Sequence, residues 1–284
     1  CYTTMREKTH DPLRHTLELA TLYERMGNYE AMTNEYFALL DASPTQMGAV
    51  QLSLQRALQE TSSSQLAQGL RRTIMGRIQQ QPNNRTYLDM MIWFSLQQSD
   101  FRFAFQQAKA IDQRFAGQGE EQVVRVAAIA HNNGDYNTAQ EAYHYIVKKG
   151  KTGTYYFDSR VGELRVAFDR LNKGYQLKAN DLQALRNDYE SALTELGTTP
   201  NTVPLMRNYA HLLAYYAGDV ERAADVLYDV IEMAQVADNV RDEVKLDLGD
   251  LLLFAGSIWD ASLLYSQVEK ANKNDVIGAQ AKYR

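Results

Sequence analysis

"LELATLYERMGNYEAMTNEYFALLDASP" (residues 17–44) carries two apolar stripes of helical period. Leu19, Ala20 and Tyr23 form the first, and Met32, Tyr36, Leu39 and Leu40 the second, with Gly27-Asn28 between them. Glycine suits that break because helices commonly end on a residue of positive φ. The layout returns in "GDYNTAQEAYHYIVKKG" (134–150), "GDVERAADVLYDVIE" (218–232) and "GSIWDASLLYSQVE" (256–269), each with Gly first and a small residue five positions on, where the first copy has Met32. Small residues also precede the turn, at Ala20, Ala127 and Gly249, where a second helix must approach closely. Tyr36, Tyr143 and Tyr265 supply the large side chain of that second helix.

The copies lie about 34 to 38 residues apart, and in this they resemble the tetratricopeptide repeat (TPR). Ala104, Ala139, Ala223 and Ala261 match the family's small residue in the second helix, Met32 departs from it, and Pro44 and Pro82 stand at its closing proline. The resemblance implies an all-α superhelical solenoid of about seven antiparallel helix pairs, each burying its apolar face against its neighbours. It places the pairs near residues 13–46, 48–83, 85–118, 120–153, 155–199, 204–237 and 242–275 of a single domain, 1–284. The fit is uneven. The second copy has "ETSSSQ" in place of a turn glycine, and the third has "QSDF". The pair at 155–199 is degenerate, with two long helices and a stretched connection. "HLLAYYAGD" looks one residue short before Gly218, leaving the register of that first helix open. No proline falls inside a predicted helix interior. The stretch 248–275 resembles multi-repeat TPR proteins of Bacteroidetes-type bacteria, which implies a longer parent chain.

Composition narrows the function classes. Hydrophobic residues at 45% and charged residues at 23% are ordinary globular values, so a packed core is expected. No apolar run approaches the roughly 18–20 residues of a membrane span. A net charge of −5 argues against nucleic acid as the partner. The single cysteine, Cys1, allows no internal disulfide and no Cys-based metal site. It opens two readings, the lipidated first residue of a bacterial lipoprotein or the edge of a fragment. Bacterial cell envelope or periplasm is the expected compartment, with cytoplasm the alternative.

Catalytic patterns are missing. "GKTG" (150–153) echoes a phosphate loop, but Tyr145 occupies the place of the required upstream glycine. The five histidines form no HExxH motif and no i, i+4 pair, and no GxSxG elbow exists. Glu120-Glu121 fall at a helix start, where carboxylates favour the dipole. No catalytic residue, metal or cofactor is expected.

TPR proteins use the inner faces of their first helices as a groove for peptides or partner helices. The resemblance implies a groove lined by Arg14, Leu17, Thr21, Glu24 and Arg25 in the first copy. The third copy adds Asp89, Trp93, Leu96 and Gln97, and the fourth Val124, His131 and Asn132. The last two add Asn208, Leu212, Tyr215 and Tyr216, then Leu246, Asp250, Leu253 and Phe254. Core packing is the alternative for each aromatic, notably Trp93 in "MMIWF"; adjacent Tyr215 and Tyr216 diverge, so at least one lies outside the core. Members that clamp a C-terminal carboxylate use Lys and Asn where Leu17, Thr21, Leu246 and Asp250 stand here, which excludes that mode. The expected function is a non-catalytic scaffold binding a protein or peptide in the groove, within an envelope complex. The alternative is a spacer for terminal domains. The groove reads as mixed and somewhat acidic, so the expected partner has apolar anchors and a few basic residues.

Overall fold

The computed structural model describes residues 2–11, 13–60, 64–174 and 179–284, and every regular element among them is helical. Cys1 and the centre of the "ETSSSQ" turn, 61–63, lie outside the described residues. No described helix is long and apolar enough to cross a membrane. Two compact units divide the chain, Cys1–Thr138 and Ala139–Arg284.

The first unit opens with α1 (Tyr2–Thr9) and continues through three helix pairs. These are α2 (Thr16–Arg25) with α3 (Tyr29–Ala42), α4 (Met47–Glu60) with α5 (Ser64–Gln80), and α6 (Arg85–Gln97) with α7 (Phe101–Arg114). Then come α8 (Glu120–Asn132) and α9 (Tyr136–Val147), in which the division falls. The core joins Tyr36, Phe37 and Leu40 of α3 to Leu54, Leu66, Leu70, Ile74, Tyr87 and Met90, all buried. Each such side chain contributes about 1.5–3 kcal/mol on leaving water. One polar tie crosses this core's edge. The Arg77 guanidinium lies over the Phe37 and Tyr87 rings, 5.0 and 5.6 Å from their centroids, and donates to Asp41 and the Tyr87 hydroxyl.

The second unit holds α10 (Tyr156–Asn172) with α11 (Ala179–Leu196), α12 (Val203–Tyr215) with α13 (Val220–Glu232), α14 (Asp238–Phe254) with α15 (Ile258–Ala271), and α16 (Val276–Tyr283). The α10–α11 pair is the degenerate one, its helices 17 and 18 residues long. Buried Tyr189 of α11 anchors it, stacking on Tyr209 of α12 at 5.6 Å and donating its hydroxyl to the Leu164 carbonyl at 3.2 Å. The Tyr209 hydroxyl donates to Glu190 at 2.6 Å, and burial together with that carboxylate pushes it up to about 12. In the last pair Tyr265 lies on Gly249, where a Cβ would stand 2.5 Å from the ring. That is the close approach expected from the small residue of a first helix.

One turn chemistry joins the helices of the regular pairs. Gly27, Gly134, Gly218 and Gly256 all take positive φ, and in "QSDF" Ser99 adopts the same left-handed conformation at φ 56°. The next residue caps the second helix. Asn28, Asp100, Asp135 and Asp219 accept backbone N–H groups of Ala31, Phe103, Thr138 and Arg222 at 3.1–3.4 Å. A side-chain acceptor at that position satisfies a donor that the helix cannot. In four copies the capping residue's own N–H bonds back to the carbonyl five residues earlier, as Asn28 to Tyr23, Asp100 to Ser95, Asp135 to Ala130 and Ser257 to Leu252. Asp219 instead reaches back six residues to Leu213. This turn, which looked one residue short in the sequence, therefore contains one extra residue, Ala217, and the small residue of α12 is buried Ala210, eight positions before Gly218 instead of seven.

Candidate functional site

The first helices α10, α12 and α14 of the second unit line a cavity of about 580 Å³. Helical periodicity puts Val161, Arg165, Phe168 and Asn172 on one face of α10, and Pro204, Asn208, His211 and Tyr215 on one face of α12. Measured contacts fix the register. Phe168 meets His211 edge-on at 5.3 Å, and Asn172 accepts the Tyr216 hydroxyl at 2.9 Å. On the other side Arg207 donates to Asp247 at 2.5 Å and to Glu243 at 2.7 Å, and the Tyr215 ring lies 5.0 Å from Phe254. The cleft is thus layered, with Arg165, Asn208 and Asp247 at one level, Phe168, His211 and Leu251 at the next, and Asn172, Tyr215 and Phe254 at its far end.

His211 is the hub of the aromatic part. Its ring centroid is 5.3 Å from Phe168, 4.5 Å from Tyr215 and 5.9 Å from Tyr216. Its Nδ1 is buried without a hydrogen-bond partner. Burial holds this imidazole below its ordinary value, against an opposing pull from Asp247. Burial also raises the Tyr215 phenol. Asn208 acts on the buried Tyr189 hydroxyl, opposing the rise that burial causes, so the cleft floor borders the core of the degenerate pair. Asp250 accepts the Tyr265 hydroxyl at 2.8 Å and Arg284 at 3.0 Å.

Five of the groove residues expected from sequence meet here. Asn208, Tyr215 and Asp250 line the cleft, and Tyr216 and Phe254 form its rim, Phe254 being 61% exposed. Leu212 and Leu246 do not line it; both are core residues, and His211 and Asp247 face the cleft in their place. The extra turn residue explains the first exchange. α10, carrying Arg165, Phe168 and Asn172, was missed because the degenerate pair lacks the family's marker residues; its only signal was the i, i+4, i+7, i+11 stripe.

The first unit's expected positions are dispersed. Arg14 lies before α2, its carbonyl accepting the Arg6 Nε at 2.8 Å. Leu17 and Arg25 are exposed on α2, and Glu24 is half-buried. Asp89 is held by Arg85 at 2.9 Å and raised by burial, while Trp93 packs against the core and Gln97 is exposed. His131 is buried beside Tyr136 at 5.9 Å instead of opening onto a groove, and only Asn132 beside it is exposed. In "GKTG", Lys151 pairs with Glu195 at 3.0 Å, and the following helix begins only at Tyr156.

No family model and no curated protein matches the chain. Among solved structures, it is similar to a tetratricopeptide repeat protein from Parabacteroides merdae at 12% identity and a TM-score of 0.41, covering 95% of this chain and 96% of that one. It is also similar to the human IFIT1 dimer with m7Gppp-AAAA, at 12% identity and a TM-score of 0.48, over 99% of this chain and 65% of that one. The apo quorum sensor NprR from B. thuringiensis matches at 10% identity and a TM-score of 0.48, over 98% and 80%. The repeated helix–turn–helix pair, with a small residue under a tyrosine and a positive-φ turn, makes this chain an all-α protein that resembles the tetratricopeptide repeat proteins.

Proposed function

We propose that the chain is a non-catalytic interaction scaffold whose cleft on α10, α12 and α14 holds an extended segment of a partner protein. The observation that carries this reading is the register of the three helices, which converts separate side chains into one layered surface. Tyr215 and Phe254 stand open at its end, 39% and 61% exposed, although large aromatic side chains are favoured in contact with a partner. The cleft's length also fits. The lining from Val161 to Asn172 rises about 16 Å at 1.5 Å per residue, the reach of about five extended residues. A protein ligand accords better than nucleic acid with a net charge of −5 and with a cleft that carries carboxylates on one wall.

The test is affinity capture from the native organism with mass-spectrometric readout, comparing wild type with a Tyr215→Ala/Phe254→Ala variant of unchanged helicity. Partners recovered by the wild type and lost by the variant are the expected result. Partners retained equally by both would remove the cleft as the binding site and favour a spacer role.

A further inference from the structure

Charge in the cleft is distributed differently from what the acidic residues of the sequence suggest. On the α14 wall, Asp247 and Glu243 are both engaged by Arg207, and Asp250 is engaged by Tyr265 and Arg284. Each of these carboxylates already holds an arginine contact. On the facing α10 wall, Arg165 is exposed and has no ion-pair or hydrogen-bond partner among the described residues. The one lining charge with no ion-pair partner among the described residues is therefore positive.

We propose, resting on the reading of this cleft as a segment-binding site, that its ligand is an extended peptide carrying an acidic side chain against Arg165 and an apolar side chain two residues away. The guanidinium is suited to the acid because it presents a planar donor fork that matches a carboxylate. Its level in the cleft selects a side chain within a segment. Val161 precedes Arg165 by one helical turn, and Phe168 and Asn172 follow it, so the bound chain continues past Arg165 in both directions. From Arg165 the rise to Phe168 is about 4.5 Å and to Asn172 about 10 Å. Same-face neighbours on an extended chain are about 6.6 Å apart, so the second side chain falls between these levels, against Phe168, His211 and Tyr215. This reverses the expectation of a basic partner.

The experiment pans a random decapeptide library, displayed with both ends blocked by carrier sequence, against the full chain and three variants. Wild type is expected to enrich Asp or Glu two positions from an aromatic or aliphatic residue. Arg165→Gln should weaken the best blocked synthetic peptide roughly three- to tenfold, and Arg165→Glu should turn the enrichment from acidic to basic. Raising NaCl from about 0.05 to 0.5 M should weaken the wild-type complex and leave the Arg165→Gln complex nearly unchanged. Arg165 is exposed and unpartnered, so these variants retain the wild-type helicity. If peptides are enriched and lost with Tyr215→Ala, but are basic or indifferent to Arg165, this inference fails and the cleft reading stands. If no peptide is enriched, or enrichment ignores Tyr215, both fail.

Discussion

At Gly249 the backbone has no room for a side chain, because an added Cβ would stand 2.5 Å from Cε1 of Tyr265. Gly27, by contrast, has open space around its α-carbon and is constrained only by its φ of 69°. Gly249→Ala forces Tyr265 off its seat and is expected to cost about 1–3 kcal/mol in urea denaturation, a penalty typical of overpacking. A cost under a few tenths would mean that the ring yields freely. His211 makes a second prediction at this scale. Its folded value lies below the ordinary 6.5 because of burial among Phe168, Tyr215 and Tyr216, with Asp247 pulling the other way. The unfolded chain therefore binds the extra proton more readily. Stability is full above the unfolded value and falls as pH drops through 6.5 toward the folded value. His211→Gln should flatten the change in unfolding midpoint between about pH 7.5 and about pH 5, and an unaltered slope would place the titration elsewhere.

The helix pair is built on its turn, and the last copy has the weakest one. Ser257 follows Gly256 where other copies have Asn or Asp, and its side chain makes no capping bond. Ser257→Asp should supply the acceptor found at Asp100, Asp135 and Asp219 and place a negative charge at the helix start, adding about 0.5 kcal/mol to thermal or denaturant stability. No gain would show that the local backbone holds the donor out of reach. The pair was legible in the sequence because Gly27, Ala20 and Tyr36 each have a steric reason to recur. The capping role of the Asn or Asp after the turn residue emerged only from the structure. Much of the cleft was not legible either. Phe168 and Asn172 lie on a helix whose pair has lost those recurring residues, and Arg165 becomes informative only when the partners of Asp247 and Asp250 are known. His131 was misplaced because burial beside Tyr136 depends on how the chain crosses the turn, which periodicity does not encode.

At the scale of the molecule, each compact unit holds one of the two tryptophans. Trp93 packs on the first unit's core, whereas Trp259 is 89% exposed in native protein. The change in tryptophan emission on unfolding should report the first unit, while far-ultraviolet circular dichroism reports both. Leu54→Ala, at a fully buried site, should cost about 2–5 kcal/mol and shift the emission midpoint. Leu213→Ala, equally buried in the second unit's core, should shift the ellipticity transition and leave emission nearly in place. Equal shifts of both signals by either variant would show that the chain unfolds as one. Ala217, the additional turn residue before Gly218, bears on how such a chain can vary in length and keep its specificity. Each residue of an α-helix is rotated by about 100° from the last, but this insertion sits outside the helix, so it shifts the count from Gly218 by one and leaves Ala210 in the small residue's buried place. Which of His211 and Leu212 looks into the cleft is then set by the helix and not by distance from the glycine, and a turn can accept an extra codon while the recognition residues upstream keep their aim.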